Sequence, residues 1–163
     1  MELYLFRHGI AEERSSAIED EKRKLTKEGR HKTEKIAARI GEVGIKFDLI
    51  LTSPLVRAHQ TAEILMEAGL SDKIEISSYL APDGSLSAWI EHWLIDQNFS
   101  PESKLVLVGH EPDLGNWAEL LVWGTAKGGL VLKKAGMIGI KLPETAPLGR
   151  GQMFLLIPPK YIL

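Results

Sequence analysis

The sequence predicts an α/β protein, a three-layer α/β/α sandwich built on a mainly parallel, mixed sheet of about six strands. Three observations carry this expectation. Short apolar runs alternate with helical patterns along the chain, as strand–helix–strand units require. The helical stretches carry start and stop signals, such as Ser53-Pro54 before one of them and Gly44 after another. The last two apolar runs are joined only by Pro/Gly-rich turn material. Parallel neighbours need a crossover, so this pair is expected to include an antiparallel strand. The 163 residues suit one domain spanning 1–163, large enough to bury a core.

The elements follow in order. Leu3–Phe6 is the first strand, and it breaks into the turn Arg7-His8-Gly9. Ala11–Lys24 is highly charged and reads as a solvated loop or frayed helix beside that strand end. Thr26–Glu42 is a helix with Ile36, Ala37 and Ile40 on one face. Leu49–Thr52 is a strand, after which Ser53 is a natural N-cap and Pro54 fits the first position of the helix Pro54–Glu67. Ile74–Ile76 is a short strand and Leu86–Gln97 a helix. Leu105–Gly109 is a strand and Asp113–Trp123 a helix, before the closing strands Met137–Leu142 and Met153–Ile157. Trp89, Trp93, Trp117 and Trp123 all fall on helices, where core or half-buried packing is expected. His31 is expected at the surface, and His92, between Glu91 and Trp93 on an amphipathic helix, is expected to have no catalytic role. His59, two positions after Arg57, points elsewhere on its helix.

Composition narrows the function classes. The chain has no cysteine, so it has no disulfide framework, thiolate metal site or thiol nucleophile. Its first apolar run is too short for a signal peptide and lacks a basic lead. No stretch approaches the length of a membrane span. A net charge of −2 with interspersed signs argues against a nucleic-acid surface. A cytoplasmic monomer without nucleic-acid or membrane partners is expected.

Chemistry concentrates at three strand ends. The first delivers Arg7 and His8. The second runs through Ser53 into a helix with Arg57 in its first turn, where backbone N–H groups already favour an anion. The third ends in Gly109-His110-Glu111-Pro112 and again leads into a helix. Ligands of open α/β sheets bind at the carboxyl ends of strands. If the three strands are parallel neighbours, two arginines and two histidines converge there. Guanidinium forks around an oxyanion suit phosphoryl chemistry. No Gly-rich run ending in Lys-Ser or Lys-Thr is present, which argues against use of nucleoside triphosphates. The quartet lacks the carboxylates of a metal site, and its arginines would repel a cation. Neither a metal nor an organic cofactor is expected.

Arg7-His8-Gly9, Leu25-Thr26-Lys27-Glu28-Gly29, Thr52-Ser53-Pro54-Leu55-Val56-Arg57-Ala58-His59-Gln60-Thr61-Ala62 and Gly109-His110 resemble the histidine phosphatase superfamily in order and approximate spacing. The chain length, the compact ending and Leu80-Ala81-Pro82-Asp83-Gly84 look like its small SixA-type phosphohistidine phosphatase branch. The resemblance implies a phosphoglycerate mutase-like fold. It also implies a mechanism in which His8 attacks phosphorus and forms a phosphohistidine enzyme that water hydrolyses. Arg7 and Arg57 would clamp the phosphoryl oxygens, with Gly9 and Ser53 beside them. His110, protonated, would neutralise developing charge. Crowded cations would help keep His8 itself unprotonated.

Relatives that cleave phosphate esters resemble one another in supplying a carboxylic acid to the leaving alkoxide. Among Glu75, Asp83 and Glu91, Asp83 is the best placed, although Pro82-Asp83-Gly84 is also good turn chemistry. A phosphohistidine substrate needs no such acid, because its leaving imidazole is readily protonated near neutral pH. Three readings therefore stand. The first is a phosphatase of phosphohistidine-bearing phosphorelay or phosphotransferase proteins. The second is a phosphomonoesterase on a small metabolite, using Asp83. The third is a silent phosphoprotein-binding module. Glu111 could orient His110, and Lys133 and Lys134 could steer an acidic partner.

Overall fold

Runs that are apolar at every position become the centre of the sheet. In the computed structural model, which describes residues 1–163, β1 (Glu2–Arg7), β2 (Leu49–Thr52) and β4 (Lys104–Gly109) are buried along nearly their whole length. A strand covered on both faces requires that pattern. The short β3 (Ile74–Ile76) lies at one edge, and β5 (Met137–Lys141) and β6 (Gln152–Ile157) complete the other. The order is β3-β2-β4-β1-β5-β6. The first four strands in that order run parallel, while β5 is antiparallel to both β1 and β6. The antiparallel strand expected near the end of the chain is therefore β5.

Alternation along β1 sends its side chains to two cores. Leu3 and Leu5 are among 18 buried residues under α3 (Leu86–His92) and α4 (Asp113–Trp123), with Trp89, Trp117 and Leu121. Tyr4 and Phe6 are among 17 under α1 (Lys27–Glu42) and α2 (Val56–Glu67), with Ile36, Ala37, Ile40, Ala58 and Ala62. Two cores of nearly equal size make the predicted three layers. No helix is long and apolar enough to cross a membrane.

Several expected details change. The helix predicted over Leu86–Gln97 ends at His92, because Trp93 leaves helical geometry (φ −132°, ψ −58°), and a 3₁₀ turn, Leu94–Asp96, follows. Trp93 stacks on Trp89 at 5.6 Å and packs against Phe99, so tertiary contacts outweigh the helical periodicity. Trp123 is 57% exposed rather than packed inside. α2 starts at Val56 with Leu55 as N-cap, not at Pro54. The Ser53 hydroxyl instead accepts from Leu55 N at 3.2 Å, one turn before the helix proper. Gly44 does follow α1, in the left-handed region at φ +82°.

The stretch Leu25-Thr26-Lys27-Glu28-Gly29 anchors the Arg7-His8-Gly9 turn. Thr26 caps α1 by accepting from Gly29 N at 2.9 Å, and its own N–H donates to the Ile10 carbonyl. Gly29 presses so closely on that carbonyl that a Cβ there would collide with backbone. Gly29→Ala is expected to cost about 3 kcal/mol through overpacking against a carbonyl that cannot rotate away. A urea denaturation curve checks this; a change below about 1 kcal/mol would contradict the close approach.

Candidate active site

Because β2, β4 and β1 are parallel neighbours in register (Thr52 beside Val108, Val108 beside Phe6), their carboxyl ends lie side by side. The turns continue that alignment: His8 N donates to Gly109 O, and Ser53 N to Val108 O. The four predicted side chains are thereby brought together. Arg57, His8 and His110 are all buried, and the two imidazole rings stand 5.2 Å apart. Arg57, in the first turn of α2, places Nε 3.3 Å from His8 Nε2.

The tautomer of His8 follows from its contacts. Nδ1 lies 2.7 Å from the Gly9 carbonyl, which can only accept, so Nδ1 carries the proton. Nε2 then holds the lone pair, facing the Arg57 N–H. Burial pushes the His8 pKa down to about 3, opposed by the Gly9 bond and aided by His110, Arg57 and Arg7. His8 is a neutral base at pH 7.

His110 departs from expectation. Its Nε2 lies 2.7 Å from Ser53 Oγ, while Nδ1 is buried without a partner. Burial, followed by Arg57, lowers its pKa to about 4, so in the protein alone it is neutral and not the imidazolium expected from the sequence. Desolvation together with the guanidinium groups of Arg57, Arg7 and Arg23 outweighs the opposing pull of Asp20. Arg7 donates from Nη1 to Leu132 O at 2.9 Å, and its buried Nε has no partner.

The charged stretch Ala11–Lys24 is more than a solvated loop. Asp20 opens a 3₁₀ turn, Asp20–Lys22, whose backbone carbonyl accepts from Arg57 Nη1 at 2.8 Å. The Asp20 carboxylate bridges Arg57 Nη2 at 3.3 Å and Arg23 Nε at 2.9 Å. Arg23 is only 9% exposed and also donates to Glu12 O. Burial would raise the Asp20 carboxyl, but Arg57 and Arg23 outweigh it and hold the group below its ordinary range. The Asp-x-x-Arg spacing was visible, yet in a run of mixed charges it cannot be told from an exposed i, i+3 pair.

The quartet opens into a cavity of about 480 Å³ that also receives Arg23, Asp83, Asp113 and Lys134. Asp83 is exposed at its rim with φ +67°, and its N–H donates to Asp113 Oδ2 at 2.8 Å. Burial raises the Asp113 carboxyl, opposed by the bond from the Asp83 N–H and aided to a smaller extent by the Asp83 charge. Asp113 was missed because an acid opening a helix has an adequate local explanation. Glu75 and Glu91 are exposed and lie outside this cavity. The Gly9 N–H is bound to Thr61 Oγ1 at 3.1 Å, and Ser53 is fully buried. Glu111 accepts from Gly115 N and Leu132 N, tying the chain before β5 to α4 rather than orienting His110. His59 pairs with Glu63, and His31 and His92 are exposed. A roomier cavity, about 600 Å³ between Met1, Ile90, Phe99 and Leu142, holds none of these groups.

A neutral histidine held among guanidinium groups at the carboxyl edge of a parallel sheet is built for phosphoryl transfer. Comparison with known proteins agrees. Residues 3–80 match the histidine phosphatase superfamily (branch 1). It is 46% identical along its whole length to an uncharacterized protein of Picosynechococcus sp., covering 99% of it. Its fold is similar to that of the protein histidine phosphatase SixA complexed with tungstate, with a TM-score of 0.84, 22% identity and both chains fully covered. It is also similar to the α-ribazole phosphatase from Shigella flexneri, with a TM-score of 0.68, 15% identity and 98% and 97% of the two chains covered.

Proposed function

We propose that the protein removes phosphate from histidine in phosphorelay or phosphotransferase proteins, by way of a covalent phosphohistidine on His8. The observation that carries this reading is the pinned tautomer of His8, which presents an unprotonated Nε2 inside a cage of cations. Nε2 attacks phosphorus as the substrate P–N bond breaks and the substrate imidazole leaves. Water then cleaves the new P–N bond on His8, releasing phosphate and restoring the free imidazole. Arg7 and Arg57 hold the phosphoryl oxygens, which would satisfy the orphaned Arg7 Nε. The same oxygens favour a proton on His110, whose Nδ1 also lacks a partner. Similarity to SixA supports this substrate class, and the cytoplasmic, monomeric expectation is retained with it.

One observation favours a second reading. Asp83 and Asp113 share the cavity rim and the Asp113 carboxyl is raised, as a proton donor to an alkoxide would need. A small-metabolite phosphomonoesterase would use this pair. The comparison that decides is kcat/KM on free phosphohistidine against an alkyl phosphate. The first reading expects phosphohistidine to be favoured by about 100-fold or more, with Asp83→Ala nearly silent. Preference for the ester, and a loss of about 100-fold on it in Asp83→Ala, would establish the second.

A further inference from the structure

Arg7 and Lys134 line two cavities, not one. Beyond the phosphate cage they form one wall of a groove of about 420 Å³, between α1, the chain before β5 and the C-terminal turn after β6. The charged side chains of this groove are Arg7, Lys32, Lys133, Lys134 and Lys160, all cations. Lys32 pairs with Glu28 at 2.8 Å, whereas Lys133, Lys134 and Lys160 enter no salt bridge. In a chain of net charge −2, such a concentration of unopposed cations in one concavity is not the interspersed surface that solubility needs. Lys134 makes the point sharply. Burial lowers its ammonium, and Arg7, Arg23 and Arg57 lower it further, with Glu13 acting the other way.

The groove does not stop at the lysines. Lys133, Pro159 and Lys160 also line an adjoining apolar hollow, where Val131, Leu156 and Tyr161 are 62%, 47% and 71% exposed. A track thus leads from the cage, past Lys134, along the cationic groove and onto an apolar patch. A small phosphorylated metabolite would fill the cage and leave that track bare.

We infer that the groove is the docking surface for an acidic segment of the phosphoprotein substrate, its carboxylates meeting Lys133, Lys160 and Lys32 while the phosphohistidine enters past Lys134. The inference rests on the phosphohistidine reading and adds the charge of the partner. Charge complementarity argues for this occupant: every charged side chain lining the groove is a cation, and exposed pairs of this kind raise encounter rates and set orientation more than they add affinity.

The test uses three substrates: free phosphohistidine, a phosphohistidine peptide with glutamate flanks, and the same peptide with glutamine flanks. The wild-type protein is expected to favour the glutamate peptide about tenfold in kcat/KM at low ionic strength, and to lose that preference in high salt. The double variant Lys133→Glu, Lys160→Glu is expected to lose the preference while keeping its rate on free phosphohistidine, which also reports that it is folded. Equal kcat/KM on the two peptides with the wild-type protein overturns the docking inference by itself, with no variant required. Failure to turn over free phosphohistidine overturns the substrate reading, and the docking inference with it.

Discussion

His8→Ala is expected to remain folded, to form no phosphoenzyme, and to lose turnover by about 10⁴-fold or more, the scale seen when a covalent nucleophile is removed. The wild-type protein should accumulate phosphate that is labile in acid and stable in base, as a P–N bond is and a phosphoserine is not. The variant gives up the bond to the Gly9 carbonyl, the bond from Arg57 Nε and a modest buried volume, all local to the site, so circular dichroism should change little. Acid-stable phosphate on the wild-type protein would sink the covalent mechanism. A second readout checks the electrostatics. A pKa lowered to about 3 means that the neutral, attacking form persists as pH falls through the ordinary histidine range. The His8 ring resonances of the ligand-free protein should still be those of neutral imidazole at pH 5, and so should those of His110, lowered to about 4. Titration of either ring near 6.5 would contradict the burial described above.

What was legible in the sequence was what short contiguous patterns encode. The three strand ends could be found because each is an apolar run followed by a turn or cap, and parallel alternation alone places such ends on one edge. The Leu25–Gly29 stretch could be recognised by resemblance, but its reason, the approach of Gly29 to the Ile10 carbonyl, is a contact between segments that no local pattern records. Asp20 and Arg23 escaped for the same cause. A salt-bridged strap over Arg57 and a solvated charge run have the same composition, and only the packing of the 3₁₀ turn against α2 distinguishes them. The charge of His110 was misread because desolvation is a property of the assembled cage. Counting nearby cations suggested an oxyanion partner, and burial among those cations removed the proton in its absence. Ser53 illustrates a subtler limit. Its hydroxyl could serve a helix start, a phosphate or a side chain, and the fold gives it Leu55 N and His110 at once.

Arg57→Ala is expected to lower kcat/KM by about 10³-fold, and Arg57→Lys to recover little of that loss. Lysine keeps the charge, so the two variants separate charge from geometry. The guanidinium is used on three sides: Nε toward His8 Nε2, Nη1 on the Asp20 carbonyl and Nη2 on its carboxylate. A single ammonium cannot reach all three, and it offers no planar fork to a phosphoryl group. Asp20 supplies the control. If its carboxylate acts by holding Arg57, then Asp20→Asn should weaken tungstate binding in the wild-type background and do much less once Arg57 is alanine. Additive losses would mean that Asp20 contacts the oxyanion site independently of Arg57. The sign is informative as well. A carboxylate near a dianion would by itself repel it, so tighter tungstate binding in Asp20→Asn would show that repulsion outweighs positioning. Weaker binding means that the ordered arginine is worth more than the charge that orders it. The cage geometry favours the second outcome, because the carboxylate also pairs with the nearly buried Arg23 and with Arg14, which divides its charge among three guanidinium groups.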